Sequence, residues 1–263
     1  MELVFKNLFI VFLVTAVSLF ASNGVEAETP QNTLNELDAL YDGREDLTKV
    51  QQIVANCERL MAGSPGDYEL LWRCSRAYFH LGREASSEEK KLELYNKAVE
   101  IGKKAVEADN HRPEGHFWLG ISIAAVGETS GILKSLGSVK DVKEEMGRVI
   151  AINDTYEEGG AYRIMGRIDH KVPWLFGGRK SRGHDYYQKA LAIAPSNTYT
   201  HLFLAELLLD EDKTEDAHKE LMLIMGVSNN PKWAYDIKVN QAEARKLLEE
   251  IDRSEASKKS SNE

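Results

Sequence analysis

A row of arginines is the first feature of this sequence that could bind a ligand. Arg163 and Arg167 are four residues apart, so they share one face of a helix predicted over residues 155–171. A guanidinium group presents a planar fork of donors that pairs with a carboxylate through two hydrogen bonds. The row therefore predicts a site for a carboxylate ligand or for an acidic partner. An ion-pair network with acidic residues of the same or a neighbouring helix would use the same residues, and the sequence leaves that alternative open.

Two aromatic side chains follow this helix on a short connection. Trp174 and Phe176 lie between Pro173 and Gly177, which interrupt helices on both sides, and Arg179 comes next. Aromatic residues held on a loop serve as anchors for a partner or line an apolar pocket. We therefore take Trp174, Phe176 and Arg179 as further binding candidates. The alternative is that the two aromatic rings only seal the loop onto the helices beneath it.

Catalytic and cofactor patterns are absent from the sequence. Gly177, Gly178 and Lys180 resemble a phosphate loop only superficially, because no strand precedes them and the P-loop spacing is missing. The seven histidines contain no zinc-binding H-x-x-x-H pair, and no serine lies in a G-x-S-x-G elbow. The sequence thus predicts a binding protein that is not an enzyme, with no catalytic residue, metal ion or cofactor.

Length and charge narrow the class of partner. The chain has 263 residues, of which 43% are hydrophobic, and a net charge of −9. This length suffices for one large core or a continuous solenoid. The acidic balance argues against nucleic acid as a partner and favours proteins or small molecules.

The N-terminus has the pattern of a secretory signal peptide. Lys6 precedes an apolar run at residues 8–21, and Val25, Glu26 and Ala27 form a small-residue cleavage site. The run is short for a membrane span, which needs about 20 apolar residues. We expect cleavage after Ala27, export to the periplasm or another exported location, and no stable membrane span afterwards. The alternative is that residues 8–21 stay attached as an N-terminal anchor.

The two cysteines lie on either side of one predicted turn. Cys57 and Cys74 occupy two predicted antiparallel helices at nearly the same height above residues 62–66. An oxidising compartment would favour a disulfide between them, and two buried free thiols are the alternative.

Apolar residues recur at helical spacing along almost the whole chain after residue 28, so the predicted fold class is all-α. The helices come in pairs, and small residues recur where paired helices would touch, as in a tetratricopeptide-like α-α superhelix of helical hairpins. The predicted small contacts are Gly120, Gly166, Ala190 and Ala205. The predicted domain covers residues 28–252, the polar tail 253–263 is predicted to be disordered, and loop insertions are predicted at 127–137 and 172–182.

The motif order in the centre of the chain resembles a known family. Residues 161–167 read AYRIMGR, then Pro173 and a Gly177-Gly178 pair follow, and then YYQKAL at 186–191 and Pro195. This order is similar to the TRAP-transporter T-component (TatT) family of periplasmic helical-repeat proteins, and more distantly to the regulator-of-microtubule-dynamics family. The resemblance is strongest over residues 109–223. It implies a scaffold that binds a partner, in bacteria a periplasmic solute-binding protein.

The sequence thus leads to one preferred function and one alternative. The preferred function is an exported, non-enzymatic scaffold, accessory to a TRAP-type transport system, that binds a solute-binding protein and also an apolar or carboxylate ligand. A homo-oligomer is compatible with it. The alternative is a membrane-tethered intracellular adaptor of the microtubule-regulator type.

Overall fold

The computed structural model describes residues 28–228 and 230–260, and no strand occurs in these two ranges. The predicted signal peptide and the alternative anchor at residues 8–21 lie outside the described residues. The helices are α1 (Gln31–Asp42), α2 (Leu47–Met61), α3 (Tyr68–Arg83), α4 (Glu88–Ala108), α5 (Pro113–Thr129), α6 (Ile132–Asn153), α7 (Tyr156–Lys171), α8 (Lys180–Ile193), α9 (Thr198–Leu209), α10 (Thr214–Gly226) and α11 (Ala234–Ser260). Short 3₁₀ turns occur at Trp174–Phe176 and Pro231–Trp233.

The helices pair as antiparallel hairpins that stack in chain order. The paired helices α3–α4, α5–α6, α7–α8 and α9–α10 make extensive contacts, and each pair also touches the next one, most closely through α4 and α5. This is the predicted all-α superhelix, and the prediction of fold class is confirmed. The side chains of the N-cap residues Asp46, Asp67, Ser87 and Asn197 accept hydrogen bonds from backbone N–H groups in the first turn and so help to start their helices.

Two apolar cores follow the stack. One runs from α1 to α7 and includes Leu70 and Met146, and the other runs from α8 to α11 and includes Tyr187 and Leu221. Tyr187 is fully buried and its ring lies against α7, so it joins the two cores.

The last helix returns to the first hairpin. Arg44, between α1 and α2, forms a buried ion pair with Asp236 of α11 and donates to the Lys232 carbonyl at 3.1 Å. The Tyr235 hydroxyl donates to Glu84 at the end of α3. These contacts join the first part of the superhelix to its last helix. Removing one partner of the buried ion pair would leave an uncompensated charge in the interior, so separating these two parts is costly.

Three features of the chain differ from the sequence prediction. The predicted insertion 127–137 is mostly helical. Gly127 lies inside α5, where Ser135 and Ser138 of α6 pack closely against it, and only Ser130 and Gly131 lie between the two helices. Gly131 has a φ of +95°, which glycine adopts without strain. Helix α11 continues to Ser260, so the tail predicted as disordered from residue 253 is helical up to there, since Glu, Ala and Lys favour helix and no breaker intervenes. Residues Glu157, Glu158 and Gly159 are left-handed, with φ values of +50°, +57° and +73°.

The four predicted small contacts are all buried. A Cβ atom at Gly166 would lie 2.6 Å from the Tyr187 ring, and one at Gly120 would lie 3.0 Å from the Glu145 Cβ atom. Ala190 faces Gly159, and Ala205 lies in the second core. Large side chains would push these helix pairs apart.

We expect Gly166→Ala to destabilise the protein by about 1–3 kcal/mol, because the new methyl group overlaps the Tyr187 ring in a filled core. Gly147→Ala is the matched control, since nothing lies within 4 Å of its Cβ position and the change should stabilise α6 by up to about 1 kcal/mol. Urea unfolding of both variants measures the difference. Equal stabilities would show that α7 and α8 do not approach as closely as described.

A disulfide joins Cys57 of α2 to Cys74 of α3, with the two Cα atoms 5.7 Å apart. Both side chains are fully buried. Closing a loop over a sequence separation of 17 is worth about 3 kcal/mol.

We therefore expect an alkylating reagent to label no thiol in the unreduced protein, even after denaturation, and to label two after reduction. The double variant Cys57→Ser/Cys74→Ser should lose about 3 kcal/mol of unfolding free energy. Mass spectrometry with and without reductant decides the matter, and two labelled cysteines in the unreduced, denatured protein would contradict the bond.

Two histidines occupy equivalent places in two hairpins. His116 of α5 and His201 of α9 each pair with a glutamate of the following helix at 2.6 Å, Glu145 and Glu220, and each contacts a carbonyl six residues earlier in the chain. Burial acts to lower both pKa values, but the hydrogen bonds to the glutamates and carbonyls outweigh it and raise the pKa of each histidine. The glutamate and the carbonyl thus favour the protonated form of the imidazole at each helix contact.

Raised pKa values make these contacts pH-dependent. Their contribution to the free energy of unfolding is fully present below the unfolded-state histidine pKa of about 6.5. It is lost as the pH rises through the folded-state pKa. We expect His116→Gln/His201→Gln to reduce stability by about 1 kcal/mol per site near pH 5.5 and by less near pH 9. Urea midpoints across this range test it, and a stability loss that does not shrink with rising pH would refute it.

Candidate functional site

The loop between α7 and α8 is rigid. Backbone hydrogen bonds run from Phe176 N–H to the Pro173 carbonyl (2.9 Å), from Gly177 N–H to the Trp174 carbonyl (3.0 Å) and from Gly178 N–H to the Pro173 carbonyl (3.3 Å). Gly177 has a φ of +90°, and a Cβ atom at Gly178 would overlap the Val172 carbonyl. Both positions therefore require glycine, and the two glycines fix the path of the loop.

The apolar side chains of this loop face solvent. The exposed fractions are 79% for Trp174, 69% for Leu175 and 60% for Phe176, more than for any other large apolar side chain that the structure describes. We call Trp174, Leu175 and Phe176 the apolar triplet. The sequence left open that the two aromatic rings seal the loop onto the helices beneath it. The structure does not show this arrangement, because both rings face solvent. The sequence analysis missed Leu175, although it lies between the two named aromatic residues.

A buried carboxylate supports the base of the loop. Asp169, 1% exposed, accepts two hydrogen bonds from Arg182 of α8 and one from Lys143 of α6 at 2.9 Å. Burial acts to raise the pKa of Asp169, but the hydrogen bonds from Arg182 and Lys143 bring it below its ordinary value. Arg182 also donates to the Gly177 carbonyl at 2.8 Å, so the loop is tied to three helices.

Charged residues of both signs form the rim around the apolar triplet. Arg179 is exposed, and Lys180 donates to the Asp210 carbonyl. Lys171 lies 3.3 Å from both Glu206 and Asp210. An apolar centre with a polar, charged rim is the anatomy of a protein–protein interface.

The arginine row is engaged within the fold. Arg163 is 6% exposed and donates to the Asn197 side chain at 3.3 Å, while Arg167 pairs with Glu206 and lies 4.4 Å over the Phe203 ring. Burial lowers the pKa of Arg163, against the opposing charge of Glu157. The ion-pair alternative thus holds for Arg167, whereas Arg163 is buried and bonds to a neutral amide. Neither guanidinium is presented to solvent as a free group, which corrects the interpretation of Arg163 and Arg167 as partner-binding residues.

A second surface feature was not identified from the sequence. A cavity of about 520 Å³ opens between the start of α9, the end of α10 and the start of α11. Helix α8, 14 residues or about 21 Å long, separates the apolar triplet from the α8–α9 turn that borders this cavity. The two features therefore lie on opposite edges of the superhelix. The sequence signal that could have pointed to this cavity is the E-E-G-G run at residues 157–160. Paired glycines beside charged residues often mark an unusual backbone conformation.

None of the helices in the described ranges combines the length and apolar character needed to cross a bilayer. This finding does not extend to residues 1–27, where the sequence predicts the apolar run.

Comparison with solved structures supports the fold. A thermophilic TPR protein from Thermus thermophilus superposes with a TM-score of 0.60 and 20% identity, covering 81% of this chain and 97% of that one. At this identity the likeness shows a shared fold and nothing more.

Comparison of sequences identifies the relatives. Regulator of microtubule dynamics protein 1 from Bos taurus is 30% identical over 148 residues, which is 55% of this chain but only 44% of the bovine protein. The Mus musculus protein of the same name is 26% identical over 237 residues, covering 83% of this chain and 73% of the mouse protein. The family model for regulator of microtubule dynamics protein 1-3 matches residues 33–172. Of the two sequence resemblances, these matches support the more distant one and lend no support to the TatT family. The chain belongs to the regulator-of-microtubule-dynamics family.

Proposed function

We propose that this chain is a non-enzymatic helical-repeat adaptor that binds a protein partner through the apolar triplet and acts in the regulation of microtubule dynamics. The apolar triplet is the observation that carries the proposal. Three large apolar side chains held in solvent gain about 1.5–3 kcal/mol each when a partner covers them fully.

The rigidity of the loop supports the same role. The backbone bonds of residues 173–178 and the Arg182–Asp169 contact order the triplet before any partner arrives. Binding therefore carries a smaller conformational-entropy cost, because the loop does not have to be ordered when the partner arrives. Arg179, exposed at the rim, adds a charge for orientation and association rate.

The link to microtubules comes from the relatives. Their names describe regulators of microtubule dynamics, and the matched segment, residues 33–172, ends at the start of the loop. We take the partner to be tubulin or a protein bound to it. The solute-binding protein and the TRAP-type transport role rested on the TatT resemblance and are not carried further.

The proposal includes a membrane tether formed by the apolar run at residues 8–21. N-terminal sequencing of the mature protein tests this part, because a start at Glu28 would show cleavage and export instead. The Cys57–Cys74 disulfide is the observation that speaks for this opposite outcome, because disulfides persist in oxidising compartments.

Microtubule co-sedimentation with purified protein, alone and with cell extract, tests the binding role. We expect Trp174→Ser/Phe176→Ser to weaken binding at least about tenfold, because anchor residues contribute more than 1 kcal/mol each. The fold should be unaffected, since both side chains are exposed.

Ile152→Ser/Val239→Ser is the matched control, because these apolar side chains are also exposed (37% and 41%) but lie away from the loop. It should bind as the parent does. Equal binding by the triplet variant and the parent, or no sedimentation of the parent under any of these conditions, would refute the proposal.

A further inference from the structure

The cavity at the edge opposite the loop has the dimensions of a ligand site. Its volume of about 520 Å³ lies within the range of small-molecule and side-chain pockets. Residues from α7, α9, α10 and α11 contribute to its wall, together with the α8–α9 turn and the segment between α10 and α11. Apolar side chains such as Met222 and Ile237 line one part, and polar groups line the rest.

The charged groups of the wall are mostly acidic. Glu158 and Asp236 line the cavity, and no lysine or arginine does so among the residues that the structure describes. His201 also lines it, but Glu220 and the Pro195 carbonyl engage both of its ring nitrogens. The cavity wall thus presents two carboxylates, while the His201 ring is held by its own partners.

The two carboxylates differ in how far they are neutralised. Asp236 pairs with Arg44 and accepts from the Tyr199 hydroxyl at 2.9 Å. Glu158 accepts one hydrogen bond at 2.7 Å, from the neutral side-chain amide of Asn197, and forms no ion pair with another described residue. The same Asn197 side chain binds Arg163 through its oxygen, so it stands between Arg163 and Glu158. Glu158 therefore makes no direct ion pair with a described residue at the cavity wall, and the charge of Arg163 acts on it only across Asn197.

An unusual backbone conformation places this carboxylate. Glu158 has a φ of +57° and lies within the left-handed run that also contains Glu157 and Gly159. A side chain in this region costs about 1–2 kcal/mol relative to right-handed helix, and glycine would avoid the cost. Glu158 thus has a backbone conformation that glycine would adopt at a lower free-energy cost, and its side chain lines the cavity.

Aromatic faces complete the lining. Tyr199 and Trp233 both line the cavity. The exposed Lys232 ammonium already lies 4.8 Å from the centre of the Trp233 ring, so this ring accepts a cation. A carboxylate beside aromatic faces is the combination that binds ammonium and guanidinium groups, and Met222 and Ile237 can cover an apolar stem.

We propose that this cavity binds a cationic group on an apolar stem, an alkylguanidinium or alkylammonium, through Glu158 and the aromatic faces of Tyr199 and Trp233. An arginine or lysine side chain of a partner peptide carries this chemistry, and so does a free organic amine. The net charge of −9 favours either source. The site is independent of the apolar triplet, which lies on the other edge.

Tryptophan indole signals in ¹H–¹⁵N NMR spectra of the full chain provide the test. The chain has four tryptophans, and Trp233→Phe assigns the signal that belongs to the cavity. The probes are a short peptide with one central arginine, the same peptide with norleucine in its place, and agmatine as the free amine. We expect the arginine peptide to shift the Trp233 signal saturably, the norleucine peptide to leave it in place, and Glu158→Gln to weaken the affinity at least tenfold.

Glu215→Gln is the matched control, because this exposed glutamate lies at the far end of α10 and should leave the affinity unchanged. The indole signals of the buried Trp72 and Trp118 report whether each variant is folded. Tighter binding of the arginine peptide than of agmatine identifies a peptide as the source, and equal or tighter binding of agmatine identifies a free amine. A Trp233 signal that does not move with either cation, or equal affinities of Glu158→Gln and the parent, would overturn the proposal. Binding of the triplet variant Trp174→Ser/Phe176→Ser as tightly as the parent would show that the two sites are separate.

Discussion

The close approach of α7 and α8 is the constraint on which the rest of this structure depends. A Cβ atom at Gly166 would press into the Tyr187 ring, and one at Gly183 would lie 3.1 Å from the Gly166 carbonyl. The connection at their shared end is also tight, and Pro173, Gly177 and Gly178 fix its path. Because this connection has no room to fold back between the helices, its apolar side chains project into solvent.

Charged side chains in the interior form ion pairs that join the helices of the scaffold. Asp169 ties α6, α7 and α8 together, Arg44 ties the first hairpin to α11, and Arg167 ties α7 to α9. These groups are paired within the chain, so they contribute rigidity to the scaffold. The apolar triplet and the acidic cavity are the exceptions, and they lie on opposite edges. A repeat scaffold with two such edges can hold one partner without blocking a second one.

The sequence predicted the fold better than it predicted the sites, for physical reasons. Helical periodicity and small contacts such as Gly120 and Gly166 are local signals, so the hairpins could be predicted from spacing. The role of Arg163 could not, because its partner Asn197 lies 34 residues away and only the fold brings them together. The place of Glu158 in the cavity wall could not be predicted for another reason. Its position depends on a left-handed backbone inside a helical pattern, and hydrophobic periodicity does not reveal such a conformation. Trp174 and Phe176 could be named because a proline and two glycines mark their loop, but their exposure could not be deduced.

Site-specific photocrosslinking at position 175 tests the central claim most directly, namely that the loop between α7 and α8 is the surface that a partner protein covers. A photoreactive amino acid replaces Leu175 at the centre of the triplet, and a control variant carries it at Ile152 on the exposed side of α6. Both variants are irradiated in extract of the cells that produce the protein, and adducts are identified by mass spectrometry. The account predicts one protein, tubulin or a microtubule-bound protein, attached at position 175 and absent at position 152. The same adducts at both positions, or none at position 175, would contradict it.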